Sequence, residues 1–387
     1  MIQRNLPETY PHHYRPLADI LCRTGEENGV YEGNNLEIII SGQRKRELLL
    51  EDIRRARSFI HIEYYRFGSD SAGREVGELL LQKAAEGVEV RILNNNLPYL
   101  FSGTSSYFRK LARAGVEVIP FTHIRHGLRK WLYRFNHQMH RKVVVIDGQV
   151  AYTGGMNLND NYFYKWRDTH LRITGPAVTA YNASFMESWK ESGGRFCYPP
   201  EHYAPVPVLQ EAPLTGTWLQ LVSDSPEKPG SAMLSALEWI LKNAQKYVYI
   251  QTPYFVPPQS LTEAFADAVK RGVDVCIMMP RKVDTPFMAT TNRAYYDDCL
   301  KAGVRILEKG GAFIHSKTLV ADDEVTVIGS SNLDWRSFYL NYELNTLIID
   351  PGTALRCKDI FDDDARQAQA PHRSSYSRFM RLFYRLL

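Results

Sequence analysis

The strongest constraint on this chain is an internal repeat. "MHRKVVVIDGQVAYTGGMNL" (139–158) returns as "IHSKTLVADDEVTVIGSSNL" (314–333), and His140, Lys142, Asp147, Gly154 and Asn157 map onto His315, Lys317, Asp322, Gly329 and Asn332 at one shift of 175 residues. Self-similarity at a fixed shift means that two copies of one supersecondary design share the chain. Upstream, "ARSFIHIEYYRF" (56–67) aligns with "AQKYVYIQTPYF" (244–255), "GVEV" (87–90) with "GVDV" (272–275), and "AGVEV" (114–118) with "AGVRI" (302–306). Each half reads as strand, helix, strand, helix, strand, and then the strand carrying the His-Lys pair.

The expected fold class is α/β, with mixed sheets flanked by helices in two domains related by a pseudo-twofold axis. Residues 1–30 read as an N-terminal extension, 31–197 as the first domain and 217–387 as the second. Between them, 198–216 carries five prolines, which suit an extended linker. With 387 residues and 44% hydrophobic composition the chain can fill two cores. A net charge of +4 is too small to name a partner, so basic character must be local. Five cysteines, none at a C-x-x-C spacing, fit a reducing cytoplasmic setting. No run approaches the roughly 18 apolar residues of a spanning helix, and the expectation is a protein that does not cross the bilayer.

On a strand, His140 and Lys142 share a face. The apolar "VVVI" that follows makes an open surface a poor setting, whereas a cleft between the two domains lets both His-Lys pairs converge. Lys142, Lys317, Asn157 and Asn332 then offer charge and donors for the oxygens of a phosphodiester. One imidazole can attack phosphorus while the other protonates the leaving alkoxide. This scheme needs no metal and no cofactor. An imidazole in such a role needs its second nitrogen oriented by a carboxylate, and Asp168 and Glu343 lie at matching offsets, 28 residues beyond His140 and His315. Asp147 and Asp322, at odd offset on the strand, read as structural.

The motif H-x-K-x-x-x-x-D, present as "HRKVVVID" and "HSKTLVAD", resembles that of the phospholipase D superfamily over nearly the whole chain after about residue 30. "WRDTHLRITGPAV" and "GSSNLDWRSFYLNYEL" make the chain most similar to bacterial cardiolipin synthases within it. The resemblance implies a phosphatidyltransferase that joins two phosphatidylglycerols through a phosphatidyl-histidine. It implies His140 as nucleophile and His315 as acid and later base, an assignment that can be reversed. The alternatives are hydrolysis of phospholipid by the same residues, with nucleic acid a weaker substrate reading, and a catalytically dead binding module, against which the intact His-Lys pairs argue.

A lipid substrate calls for docking at the inner face of the membrane, as a peripheral protein. The first half carries 13 extra residues before its His-Lys strand, within 121–138, where Arg129, Lys130 and Arg134 interleave with Trp131. The tail "SYSRFMRLFYRLL" reads as an amphipathic helix with Arg378, Arg381 and Arg385 on one side. Both compositions suit anionic headgroups, and both have a plain alternative as ordinary surface. In "QRKRELLLEDIRRARS" (43–58) the charges read as a solvated helix face. Protein partners have no signature in the sequence.

Overall fold

The structure, a computed structural model, describes residues 6–24, 29–95, 104–121, 136–204, 217–284 and 286–371. The proposed docking residues Arg129, Lys130, Trp131, Arg134, Arg378, Arg381 and Arg385 lie outside the described residues.

Two sheets repeat one strand order. The first runs Asn35–Ile39, His170–Thr174, Val150–Gly154, Lys142–Ile146, Phe59–Tyr64, Glu89–Asn94, Glu117–Pro120. The second runs Trp218–Asp224, Glu343–Ile349, Val325–Gly329, Thr318–Ala321, Tyr247–Gln251, Asp274–Pro280, Arg305–Lys309, with short edge strands Val30–Tyr31 and Ala368–Gln369 added at its two ends. Within each sheet Phe59–Tyr64 and Tyr247–Gln251 mark the change from antiparallel to parallel pairing. The His-Lys strands are central, and Lys142–Ile146 is buried along its whole length.

Alternation then divides each strand between two cores. Val143 and Val145 join Leu171 from the first sheet and Leu221, Val320 and Leu344 from the second in one shared core. Val144 and Ile146 turn instead to the helices outside the first sheet. Burial of one such side chain contributes about 1.5–3 kcal/mol, so the shared core fixes the two halves in one orientation. The outer helices begin at side-chain caps: Ser41 accepts from the Arg44 amide ahead of Gly42–Arg55, and Ser231 accepts from the Leu234 amide ahead of Ala232–Asn243.

The N-terminal segment packs on the second half. Tyr10, Tyr14, Leu17 and Leu21 enter the core behind the second sheet, and Tyr14 donates to Glu324 at 2.9 Å. The Pro-rich stretch opens with a short 3-10 turn, Pro200–Tyr203, whose Tyr203 is buried and donates to Glu89 at 2.9 Å.

Asp147 and Asp322 sit beyond the ends of their strands, in left-handed backbone with φ of 52° and 56°. The turn, rather than strand alternation, sets their direction. Asp147 accepts from the amides of Arg57, Ser58 and Phe59 at 2.8–2.9 Å, and Asp322 from those of Gln245, Lys246 and Tyr247 at 2.7–3.0 Å. Each carboxylate pins the start of the neighbouring strand, and these bonds hold the strained turn.

Candidate active site

The two halves exchange backbone contacts at the site. Met139 forms a parallel bridge with Tyr342, and Ile314 forms one with Arg167. Accordingly the His140 amide donates to the Tyr342 carbonyl at 2.8 Å, and the His315 amide donates to the Arg167 carbonyl at 2.7 Å. These bridges place the residue after each one, Glu343 or Asp168, beside the histidine of the opposite half. His140 Nδ1 lies 2.9 Å from both Glu343 carboxylate oxygens, and His315 Nδ1 lies 2.8 Å from Asp168 Oδ2. The constant shift identifies the two acids in the sequence without saying which histidine each one meets.

Both carboxylates are fully buried and both are held. Glu343 accepts from Ser337 Oγ at 2.9 Å, from Asn341 Nδ2 at 3.3 Å and from Ser330 Oγ. Asp168 accepts from the Thr169 amide at 2.7 Å. A Cβ on Gly155 would come within 2.1 Å of Asp168 Oδ1, so glycine is required there for the acid to approach. Ser330, which stands at the position of Gly155 in the other half, fills that place with a donor.

Lys142 and Lys317 each donate to the carbonyl of their own histidine, and Lys317 Nζ also lies 3.1 Å from His315 Nε2. Asn157 accepts from the Arg66 amide at 3.2 Å. Asn332 donates its amide to Ser337 Oγ at 3.0 Å and keeps a buried side-chain carbonyl with no protein partner among the described residues. Tyr65 meets the His140 ring edge-on at 5.0 Å between centroids. Around His315 stand Tyr162 at 5.2 Å, Trp166 at 5.5 Å and Phe313 at 5.9 Å.

Burial dominates the electrostatics. It pushes the imidazole pKa of His140 down to about 4 and that of His315 to about 3, against the opposing pull of Glu343 and Asp168. Burial also lowers Lys317 to about 8 and takes Lys142 well below the lysine range. For Asp168, burial acts upward, but Lys317 and His315 more than offset it and the carboxyl stays below its ordinary value. Glu343 behaves likewise through His140 and Lys142. The free site therefore holds unprotonated imidazoles with their Nδ1 positions fixed, which leaves each Nε2 lone pair available.

One expectation from sequence needs correction. Lys45 and Asp52, read as part of a solvated helix face, are buried. Lys45 Nζ donates to Tyr64 Oη at 3.0 Å and to the Met156 carbonyl at 2.8 Å, and Asp52 pairs with Arg172 at 2.7 Å. The helical stripe of Leu49, Ile53 and Ala56 locates the helix face without revealing that charged residues beside it are covered by the sheet. Sequence reasoning also missed Ser330, Ser337 and Asn341. The signal for Ser330 lies in the repeat itself, as a polar residue where the first half has glycine.

Two His-Lys strands meeting across one cleft define a phospholipase D-like enzyme, and comparison narrows the class. The family described as cardiolipin synthase, PLD-like domain matches residues 49–189 and 237–365. The cardiolipin synthase of Oceanobacillus iheyensis is 35% identical over 358 residues, covering 90% of this chain and 73% of the relative. The major cardiolipin synthase of Bacillus subtilis is 36% identical over 343 residues, covering 86% and 69%. The chain belongs to this family of cardiolipin synthase-type phosphatidyltransferases. Among solved structures, a phosphatidylserine synthase of Haemophilus influenzae superposes with a TM-score of 0.69 at 15% identity, covering 96% of this chain and 97% of that one, a likeness of fold. No helix among the described residues is long and apolar enough to cross a membrane.

Proposed function

We propose that this protein makes cardiolipin from two phosphatidylglycerols through a phosphohistidine, with His140, His315, Lys142, Lys317, Asn157 and Asn332 as its catalytic groups. The observation that carries the reading is the crossed pair of carboxylate-imidazole contacts, which supports two oriented imidazoles facing one substrate. In the first step one Nε2 attacks phosphorus, the bond to the glycerol oxygen breaks, and the other imidazole, charged once the anionic diester is bound, gives that oxygen its proton. In the second step the hydroxyl of another phosphatidylglycerol loses its proton to the same imidazole and attacks phosphorus. The P–N bond breaks and the new P–O bond completes cardiolipin. The two lysines and two asparagines balance charge on the non-bridging oxygens, where preorganised donors act most strongly in a water-poor cleft.

Substrate delivery is by peripheral contact with the anionic inner face of the cell membrane. The arginines of the C-terminal stretch support this, at roughly 1 kcal/mol each near such a surface. The test of the function is product analysis with phosphatidylglycerol vesicles: cardiolipin and free glycerol in equal amounts are expected. Phosphatidic acid as the sole lipid product refutes transfer and makes the protein a hydrolase.

A further inference from the structure

The repeat leaves one rim of the cleft unlike its counterpart. Beside His140 come Tyr65 and Arg66, at the end of strand Phe59–Tyr64, and Arg336, on the short helix Trp335–Tyr339. The Arg336 guanidinium donates to the carbonyl of Asn136, four residues before His140, at 2.7 Å. The corresponding positions in the other half are Pro253, Tyr254 and Asn161, where Tyr254 donates to Asp284 at 2.8 Å. One rim carries two cations and the other carries an acid.

These cations are not used up in ion pairs. Neither Arg66 nor Arg336 meets a carboxylate within the described residues, in contrast to Arg46, Arg172 and Arg305, which all do. Arg66 is exposed and Arg336 half-buried. Burial raises the Tyr65 phenol pKa, and the charges of both arginines oppose that rise. Arg66 has the same influence on Tyr162, beside His315. Arg66 therefore stands between the two imidazoles, at the entrance they share.

Transfer to a second phosphatidylglycerol poses a problem that hydrolysis does not. The incoming hydroxyl belongs to a molecule with its own phosphate, three carbons away, and that anion must be accommodated while the first phosphate fills the His-Lys centre. We propose that Arg66 and Arg336, with the Tyr65 hydroxyl between them, form a second anion site that holds the phosphate of the acceptor lipid. The inference rests on the transfer reading and adds the basis of acceptor choice. A guanidinium is suited to this, since it presents donors in a planar fork matched to phosphate and stays charged.

The test compares acceptors. Wild-type protein is given phosphatidylglycerol vesicles, and products are measured with and without a neutral competing alcohol such as 1-butanol. In Arg66→Ala and Arg336→Ala the ratio of cardiolipin to phosphatidylbutanol falls, by about 10-fold for the pair, while phosphatidic acid rises. Arg66→Lys and Arg336→Lys recover part of the ratio. Far-UV circular dichroism and thermal unfolding verify that each variant is folded. A folded double variant whose cardiolipin and phosphatidylbutanol fall in parallel, or whose ratio is that of wild type, overturns the acceptor site. A wild-type protein that yields no cardiolipin refutes the function itself, so the two failures are distinguishable.

Discussion

The first and second halves present the same His-Lys strand in different surroundings. His140 has a glutamate from the other half, held by three polar side chains, with Tyr65 and two free arginines near by. His315 has a shorter aspartate, admitted by Gly155 and held by a backbone amide, within a wall of aromatic rings. Gly155 with Asp168 and Ser330 with Glu343 are two solutions to one requirement, a buried carboxylate at hydrogen-bond distance from an imidazole. The lesson is that duplication supplied the chemistry in symmetric form, and divergence around it allows the two imidazoles separate duties.

The largest expected effect comes from removing either imidazole. Loss of general acid-base catalysis alone costs about 10²- to 10⁴-fold, and loss of the nucleophile more. His140→Ala and His315→Ala should both fall to background, and rapid acid quenching of wild type should trap the lipid phosphate on one histidine only. Adducts of equal yield on both would dissolve the comparison, and a folded His140→Ala protein with full turnover would refute the mechanism.

A smaller loss, about 10- to 100-fold, is expected for the orienting acids. In Glu343→Gln the downfield Nδ1 proton resonance of His140 should disappear while that of His315 remains, and Asp168→Asn should do the reverse. If each substitution instead disturbs the histidine of its own half, the crossed pairing is wrong.

The smallest effect is on stability. Both imidazoles have folded-state pKa values lowered to about 4 and about 3, below the unfolded value near 6.5. The unfolded chain therefore binds protons first as pH falls, so stability is retained above about pH 6.5 and lost between there and about pH 4. Each pKa unit of difference corresponds to about 1.4 kcal/mol, which puts the loss on the order of a few kcal/mol per histidine. His61, lowered to about 3, contributes in the same window. Denaturant midpoints at pH 7 and pH 5 measure it, and His140→Gln should flatten the slope. An unchanged slope would place His140 in a wetter setting than the geometry shows.

Much of this was legible from residue order, because a repeat at constant shift is a property of sequence alone. The shift of 175 residues fixed two homologous halves, their order of strands and helices, and the set His140, Lys142, Asn157, Asp168 with its counterparts. Periodicity also placed the His-Lys strand in the interior, since alternation cannot leave "VVVI" in water. What the shift could not encode is pairing, because a one-dimensional offset relates each acid to its own half, whereas bridges between the halves bring each acid to the other's histidine. Nor could it show that Lys45 and Asp52 are covered, which depends on what packs over a helix rather than on the helix pattern. The electrostatic difference between the two rims is likewise tertiary: Arg66 and Arg336 lie 270 positions apart in the chain, and only the packing of the two sheets places both charges at one entrance.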